Sequence, residues 1–289
     1  MNRAIRKFVG SLTGANRYIF FIVLFLVCVI ALCIGIYGQF FYKYADTDPL
    51  MIGINIGSRK TAEEIAVLKS NFNNLFTNSL IIKSENVRVD KIEPSNAIVY
   101  TCYEFHDKDE NFSDVNADIP IININSEAAK AINSDIISEF HNTAKNIMRK
   151  KEGKTIYSVS YAAFINNEIV SLVIKSSLKE EGKAEKVVVK TYNYSIPEER
   201  NVSLKEMIDA KEFTVAEVQD IINQDIKTAY NNAKIIAAEY GTLYERDLSS
   251  DIYKVENVDN FFLTQDGYVY IVYAYGNNDY TNEMDLIIF

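Results

Sequence analysis

The feature that most constrains this chain is an uncharged apolar segment near its N-terminus. The 18 residues from Ile19 to Ile36 contain no charge, and fourteen of them are Ile, Leu, Val or Phe. About 20 apolar residues make a helix long enough to span a bilayer. At about −0.3 to −0.6 kcal/mol for each of these side chains, insertion is favoured by about 4 to 8 kcal/mol. The sequence therefore predicts a transmembrane helix over residues 18–42, in contact with membrane lipid.

Basic residues predict the orientation of this helix. Four of them precede it, namely Arg3, Arg6, Lys7 and Arg17, and only Lys43 follows it closely. Because short segments rich in Lys and Arg stay on the cytoplasmic side, residues 1–17 are predicted to form a cytoplasmic tail. Residues 43–60 contain a proline and two glycines and are interpreted as a linker. We therefore expect a single-pass protein of the cell membrane whose C-terminal body is extracytoplasmic.

A cleaved signal peptide is the alternative interpretation of the apolar segment. The apolar part of such a peptide usually spans about 7 to 15 residues and ends at small residues. This segment is longer and is followed by the larger residues Gln39, Phe40, Phe41 and Tyr42. An uncleaved signal-anchor is therefore favoured.

The body that follows the predicted membrane helix is strongly acidic. Residues 1–45 hold five basic and no acidic side chains, so the other 25 basic and 39 acidic residues give the body a formal net charge of −14. A domain with this charge repels nucleic acid and attracts cationic partners. We therefore expect no nucleic-acid partner, and plain solubility is the alternative reason for the charge.

The cysteines exclude a body stabilised by internal disulfides. Cys28 and Cys33 lie in the predicted membrane helix, which leaves Cys102 alone outside it. Cys102 lies in a predicted strand of apolar and aromatic residues, where a lone cysteine is usually an inert small hydrophobe. The stability of the body must then come from packing.

Four helices are predicted from capping residues and from apolar side chains at helical spacing. They begin at Thr61, Ser126, Val202 and Thr214. Thr61 and Thr214 each stand three residues before a glutamate, which makes a capping box in each case.

Strands are predicted where β-branched and aromatic residues cluster. They cover residues 97–105 and 117–124, a hairpin about Asn166 and Asn167, residues 185–196, and a hairpin about Asp266 and Gly267. Pro120 predicts an edge or irregular position in the second of them. Antiparallel hairpins separated by single helices are typical of the α+β class. We expect an antiparallel sheet packed with helices, with an N-terminal part over residues 61–118 and a second part over residues 119–289.

The C-terminal segment is rich in tyrosine, and two interpretations of it stay open. In "YVYIVYAY" both alternating faces mix aromatic and aliphatic residues, which favours a strand covered on both sides. An exposed aromatic binding strip is the alternative. Its candidate binding residues are Tyr268, Tyr270, Tyr273, Tyr275 and Tyr280.

One acidic loop has part of the spacing of a calcium site. Its candidate ligands are Asp107, Asp109, Asn111 and Asp118. Calcium loops use oxygen ligands at alternate positions, but they also need a glycine where this chain has Phe112, and they lie between two helices. A solvated hairpin loop is therefore the favoured interpretation.

Motifs for catalysis are missing from the sequence. His106 and His141 are too few for a multi-histidine metal site, and neither a phosphate-binding glycine loop nor a Gly-x-Ser-x-Gly motif occurs. His141 is expected to be solvated on the polar side of its helix. We predict no catalytic residue and no cofactor, and we keep a wall-polymer hydrolase as the least favoured alternative.

Five segments between Ile119 and Phe289 define an order of predicted strands and helices. They are "IPIININSEAAKAINSDI", "YSVSYAAFINNEIVSLVI", "YNYSIPEERNVSLKEMI", "VQDIINQDIK" and "NFFLTQDGYVYIVYAYG". This order resembles the external domain of lysozyme-sensing bacterial anti-sigma factors. A similar non-catalytic module precedes the catalytic part of some peptidoglycan deacetylases.

The resemblance implies an envelope-facing module that binds or senses a ligand. The predicted cytoplasmic tail, residues 1–17, is too short to form a domain that holds a sigma factor. The segment after the final hairpin, "GNNDYTNEMDLIIF", also departs from the proline-containing stretch of the family. We therefore expect a non-enzymatic module that recognises a cationic protein or an envelope glycan. Assembly with other membrane proteins is the alternative function.

Overall fold

The computed structural model describes residues 61–76, 82–83, 89–95, 97–166, 168–240 and 244–289. The predicted cytoplasmic tail, membrane helix and linker over residues 1–60 lie outside these ranges. Within the described ranges, no helix combines the length and the apolarity that crossing a membrane requires.

Seven strands form one large sheet in which every strand lies beside its neighbours in sequence. They are β1 (Ile82–Lys83), β2 (Ala97–Asp109), β3 (Ser113–Ile122), β4 (Thr155–Asn166), β5 (Ile169–Glu180), β6 (Lys186–Ser195) and β7 (Arg200–Asn201). All adjacent pairs are antiparallel except β3 and β4, which are parallel and are joined through a helical crossover. The predicted boundary between residues 118 and 119 falls inside β3, so the residues on both sides of it belong to one sheet.

The described helices are α1 (Ala62–Ser70), α2 (Glu127–Ile136), α3 (Asn142–Arg149), α4 (Leu204–Ala210) and α5 (Val215–Tyr240). The capping boxes predicted at Thr61 and Thr214 are both present. A third box joins Ser203 to Glu206 at the start of α4. The prediction from sequence missed this box, although the Ser-x-x-Glu spacing is visible in the chain.

A π-helical turn over Ile137–His141 connects α2 to α3. The extra residue in such a turn shifts the helical phase, so that the next side chains point in a new direction. His141 is therefore buried rather than solvated as predicted, and its ring lies 4.3 Å from the ring of Tyr103 and 5.4 Å from that of Phe105.

The helical crossover packs on one face of the large sheet. The buried side of α2 and α3 meets alternate residues of the central strands, including Tyr161 and Leu172, in one apolar cluster. Because successive side chains of a strand point to opposite faces, Ala162 and Val173 face the other side. Both faces of the large sheet are therefore covered.

A second sheet of three antiparallel strands covers that other face. Its strands are β8 (Phe261–Leu263), β9 (Val269–Ala274) and β10 (Met284–Ile288), in the order β10-β9-β8. The predicted hairpin about Gly267 is confirmed, and this glycine has a φ of +83° in the turn. The cluster between the two sheets contains Phe72, Phe76, Ala162, Val173, Val189, Phe262, Tyr270, Val272, Ala274 and Ile288. The strand β10 was not predicted.

The prediction for Pro120 is confirmed by an irregularity in the sheet. The pairing of β3 with β4 ends at Ala117, and β2 contains a bulge between Thr101 and Tyr103, opposite Pro120. A residue without an N–H group is tolerated where a ladder is interrupted. Cys102 lies in this bulge and is exposed, so it is not the packed hydrophobe that was expected. Desolvation still raises the pKa of its thiol.

Gly276 lies in close contact with the main chain of β6. It lies in the 3₁₀ turn Tyr275–Asn277 that follows β9. A Cβ atom on this residue would lie 2.0 Å from the carbonyl oxygen of Val187 and 2.6 Å from that of Thr281. Only glycine fits between these two main-chain atoms.

We expect Gly276→Ala to lower the free energy of unfolding by about 3 kcal/mol, because both carbonyls belong to main chain that is held in place. Val187 lies in β6, and its N–H donates to the carbonyl of Thr281. Urea denaturation measures this change. Gly182→Ala is the matched control, since a Cβ atom there has nothing within 4 Å and meets only the cost of a φ of +75°. That cost is about 1 to 2 kcal/mol. A Gly276→Ala variant within about 1 kcal/mol of the parent would contradict the close approach.

Candidate functional site

A cleft of about 530 Å³ opens at the outer edge of β6, and it is the candidate functional site. Its walls come from the α2 segment, from β6 and from the small sheet with the loops before and after it. The volume lies within the usual range of small-molecule sites, about 300 to 1,000 Å³. Three carboxylates line the cleft, Asp135, Glu139 and Asp259, whereas Lys190 is its lining cation among the described residues.

The helical wall of the cleft presents two carboxylates one turn apart. Asp135 lies near the end of α2 and Glu139 lies in the π-helical turn. The hydroxyl of Tyr192, on β6, donates a hydrogen bond of 2.6 Å to Oδ2 of Asp135. Burial and the adjacent carboxylate both raise the pKa of Tyr192, so this phenol stays protonated. The bond fixes the helix to the strand at the mouth of the cleft.

The edge of β6 forms the floor of the cleft and is held by the segment after β9. The carboxamide of Asn277 accepts from the N–H of Val189 and donates to the C=O of Val189, both at 3.0 Å. The N–H of Val187 donates to the C=O of Thr281 at 3.0 Å. Near the other end of the strand, the N–H of Val202 donates to the C=O of Asn193 at 2.9 Å. These bonds close most of an edge that would otherwise be open.

Tyr273 lines the cleft and carries an unsatisfied polar group. Its hydroxyl is buried and has no hydrogen-bond partner among the described residues. Its ring meets that of Tyr253 edge to face, with 5.1 Å between centroids. Burial raises the pKa of Tyr273. A buried hydroxyl normally has a hydrogen-bond partner, so the hydroxyl of Tyr273 is an exception to this rule.

Behind the cleft, Tyr275 belongs to a buried charged network. Its hydroxyl donates to Oδ2 of Asp285 at 2.5 Å and lies 2.9 Å from the hydroxyl of Tyr253. Arg246 donates to both oxygens of the same carboxylate, from Nε at 2.5 Å and from Nη2 at 3.1 Å. Although burial opposes the charge of Arg246, the bonds to Asp285 raise its pKa. The network ties the loop after α5 to β10.

Sequence reasoning missed this network, but one signal for it exists. In the segment "MDLII" Asp285 alternates with Leu286, so that it shares a face with the buried Ile287. An acidic residue on the apolar face of a strand needs a cationic partner nearby. The partner, Arg246, lies 39 residues earlier in the chain, at a separation that local patterns do not reveal.

The five tyrosines of the predicted strip do not form one exposed face. Tyr270 is only 3% exposed and packs between the sheets, and Tyr268 is half-buried beside it. Tyr273 and Tyr275 line the cleft. Tyr280 is exposed and donates a hydrogen bond of 2.7 Å to Oε2 of Glu180. The strand is therefore covered on both sides, as the favoured interpretation held, and a binding role stays open for the two tyrosines at the cleft.

The four candidate calcium ligands lie along the β2–β3 hairpin. Asp118 pairs with Glu104, which is three residues, or about 10 Å, along β2 from Asp107. Asp109 forms an ion pair of 3.1 Å with Lys151, and Asn111 lies in the turn. In the described part of the chain, no group of three or more His, Cys, Asp or Glu side chains is arranged to hold a metal ion. The hairpin register therefore separates Asp118 from Asp107.

Comparisons with known proteins returned structural similarities only. No family model matches the chain, and no curated protein matches it. A DUF3298 family protein from Pseudomonas aeruginosa PAO1 is similar over 74% of this chain and 91% of its own, with 13% identity and a TM-score of 0.41. A DUF3298 family member from Bacteroides fragilis NCTC 9343 is similar over 72% and 92%, with 12% identity and a TM-score of 0.34. Both TM-scores lie below 0.5, and neither similarity supports a statement about function.

We expect Asp285→Asn to lower the free energy of unfolding by about 3 to 5 kcal/mol, because it leaves the buried guanidinium of Arg246 without its main counter-charge. Asp251→Asn is the matched control. Asp251 pairs with Lys254 on the surface and is 74% exposed, so its loss should cost less than about 1 kcal/mol. Chemical denaturation measures both variants. Equal losses of unfolding free energy in the two variants would show that the buried network stabilises the protein no more than a surface ion pair does.

Proposed function

We propose that this protein is a single-pass, membrane-anchored module of a bacterial cell envelope that binds or senses an extracytoplasmic ligand and is not an enzyme. The cleft at the edge of β6 is the observation that supports the binding role. The apolar segment at residues 18–42 and the basic residues before it support the anchoring. The resemblance of residues 119–289 to the external domain of anti-sigma factors supports the same role.

The composition of the cleft favours recognition of a glycan. Four of its lining residues are tyrosines, namely Tyr192, Tyr244, Tyr273 and Tyr275. The rings of Tyr192 and Tyr244 are partly exposed and offer apolar surface to the flat faces of sugars. Carboxylates and carboxamides beside them offer directed hydrogen bonds to hydroxyl groups. A cationic protein is the second ligand class, because the body is acidic and attracts positive charge.

The test is binding of the full-length chain, purified in detergent, to isolated peptidoglycan sacculi. Tyr244 lies at the cleft and stacks on Tyr275 at 4.5 Å between centroids. Because its ring supplies apolar contact surface, we expect Tyr244→Ala to reduce the sedimented fraction at least about fivefold. Tyr230→Ala, which changes a tyrosine of α5 outside the cleft, should leave sedimentation unchanged.

Three results would overturn this proposal. Equal sedimentation of the Tyr244 and Tyr230 variants would remove the cleft from the binding site. Release of soluble fragments from the sacculi would replace binding by hydrolysis. Protease added to intact cells that leaves the body untouched would contradict its extracytoplasmic location.

Assembly with other membrane proteins is the second candidate function, and the exposed end of α5 favours it. Ile235 and Ile236 are 70% and 56% exposed near the C-terminal end of this helix. Exposed apolar side chains of this size can contribute to a contact surface with another protein. Crosslinking of an Ile236→Cys variant in membranes separates the two functions. A fixed complex that ignores added wall material would favour assembly over ligand binding.

A further inference from the structure

The edge of β6 leaves one residue open inside the cleft. Alternate residues of β6 turn their main-chain groups away from β5, as the outward bonds of Val187, Val189 and Asn193 demonstrate. Thr191 shares this orientation and lines the cleft. No hydrogen bond from outside the sheet reaches its main-chain N–H or C=O in the described part of the chain. Its hydroxyl accepts from the N–H of Phe261 at 2.9 Å.

The opening is one residue wide. On one side the carboxamide of Asn277 occupies both main-chain groups of Val189. On the other side Asn193 is buried and does not line the cleft, and its carbonyl accepts from the N–H of Val202. A peptide that extends a sheet needs several successive N–H and C=O groups along the edge. A single donor beside a single acceptor instead matches one amide group of a ligand, because an amide carries one acceptor and one donor.

We propose that the cleft binds an N-acetylated amino sugar, and that the acetamido group of this sugar bonds the main-chain N–H and C=O of Thr191. This inference rests on the proposed function and names the ligand class of the same site. The carboxylates of Asp135, Glu139 and Asp259 accept from sugar hydroxyls and disfavour phosphate-rich or uronate polymers.

Two trisaccharides test the acetamido contact directly. Triacetylchitotriose and cellotriose share the same linkage and differ in carrying an acetamido or a hydroxyl group at carbon 2. We expect the full-length chain in detergent to bind triacetylchitotriose about tenfold more tightly, because two additional hydrogen bonds form. In protein labelled with ¹⁵N-threonine, the amide resonance of Thr191 should shift with triacetylchitotriose and stay in place with cellotriose.

Two variants of Thr191 separate its main chain from its side chain. Thr191→Val keeps the main-chain N–H and should keep the preference for triacetylchitotriose. Because this variant lacks the labelled threonine, the resonance that disappears from its spectrum is that of Thr191. Thr191→Pro removes the N–H that points into the cleft and should abolish the preference. Proline is tolerated at such an edge position because the missing N–H is not part of the ladder. If the proline variant does not fold, the resonance of the parent protein still decides.

Each contrary result identifies what fails. Equal affinity for the two trisaccharides, or binding of triacetylchitotriose without a shift at Thr191, would overturn the acetamido contact while leaving the cleft as a binding site. A wall stem peptide that shifts Thr191 when neither trisaccharide does would replace the sugar by a peptide. If neither trisaccharide binds and the sacculi still sediment the protein, the proposed ligand class is wrong. If the sacculi also do not sediment the protein, the proposed function is wrong as well.

Discussion

The stacking of a small sheet on a large one is the constraint on which the rest of this structure depends. Phe72, Phe262 and Tyr270 lie in the interface, where the rings of Phe262 and Tyr270 stack at 4.8 Å between centroids. Burying a side chain of this size contributes about 1.5 to 3 kcal/mol. The apolar contact alone would allow the sheets to slide. Three side-chain carboxamides fix the relative position of the sheets. Asn166 donates to the C=O groups of Thr264 and Gln265, and Asn193 donates to the C=O of Phe261. Asn277 bonds the main chain of Val189.

The cleft follows from this arrangement. The small sheet projects past the edge of β6 on one face of the large sheet, and the α2 segment does so on the other, so the edge becomes the floor of a groove. Open strand edges invite pairing with other chains, and proteins usually cover them. Here side chains and turns cover the edge at Val187, Val189 and Asn193, and Thr191 is left open between them. The same bonds that protect the edge therefore define the size and the polarity of the candidate site.

Local signals predicted much of the fold, and long-range contacts account for what they missed. The capping boxes at Thr61 and Thr214 and the hairpin at Gly267 depend on neighbouring residues, which a sequence displays directly. The position of His141 depends on a π-helical turn, whose extra residue leaves no clear mark in the pattern of apolar residues. Cleft residues such as Asp135 and Thr191 meet only when the helix and the strand pack. Their roles could not be predicted from spacing, because 56 residues separate them in the chain.

The central claim is that the small sheet, held to the edge of β6, shapes the cleft. The hydrogen bonds between Asn277 and Val189 are the most direct place to test it. Hydrogen exchange of the Val189 amide, measured together with sedimentation on sacculi, reports whether these bonds maintain the cleft. We predict that Asn277→Ala speeds exchange at Val189 at least about tenfold and weakens sedimentation, because the opening of a local contact exposes the amide to water. Asn282→Ala, in the same loop but outside the cleft, should change neither. Unaltered exchange at Val189 with full sedimentation of the Asn277 variant would contradict the account.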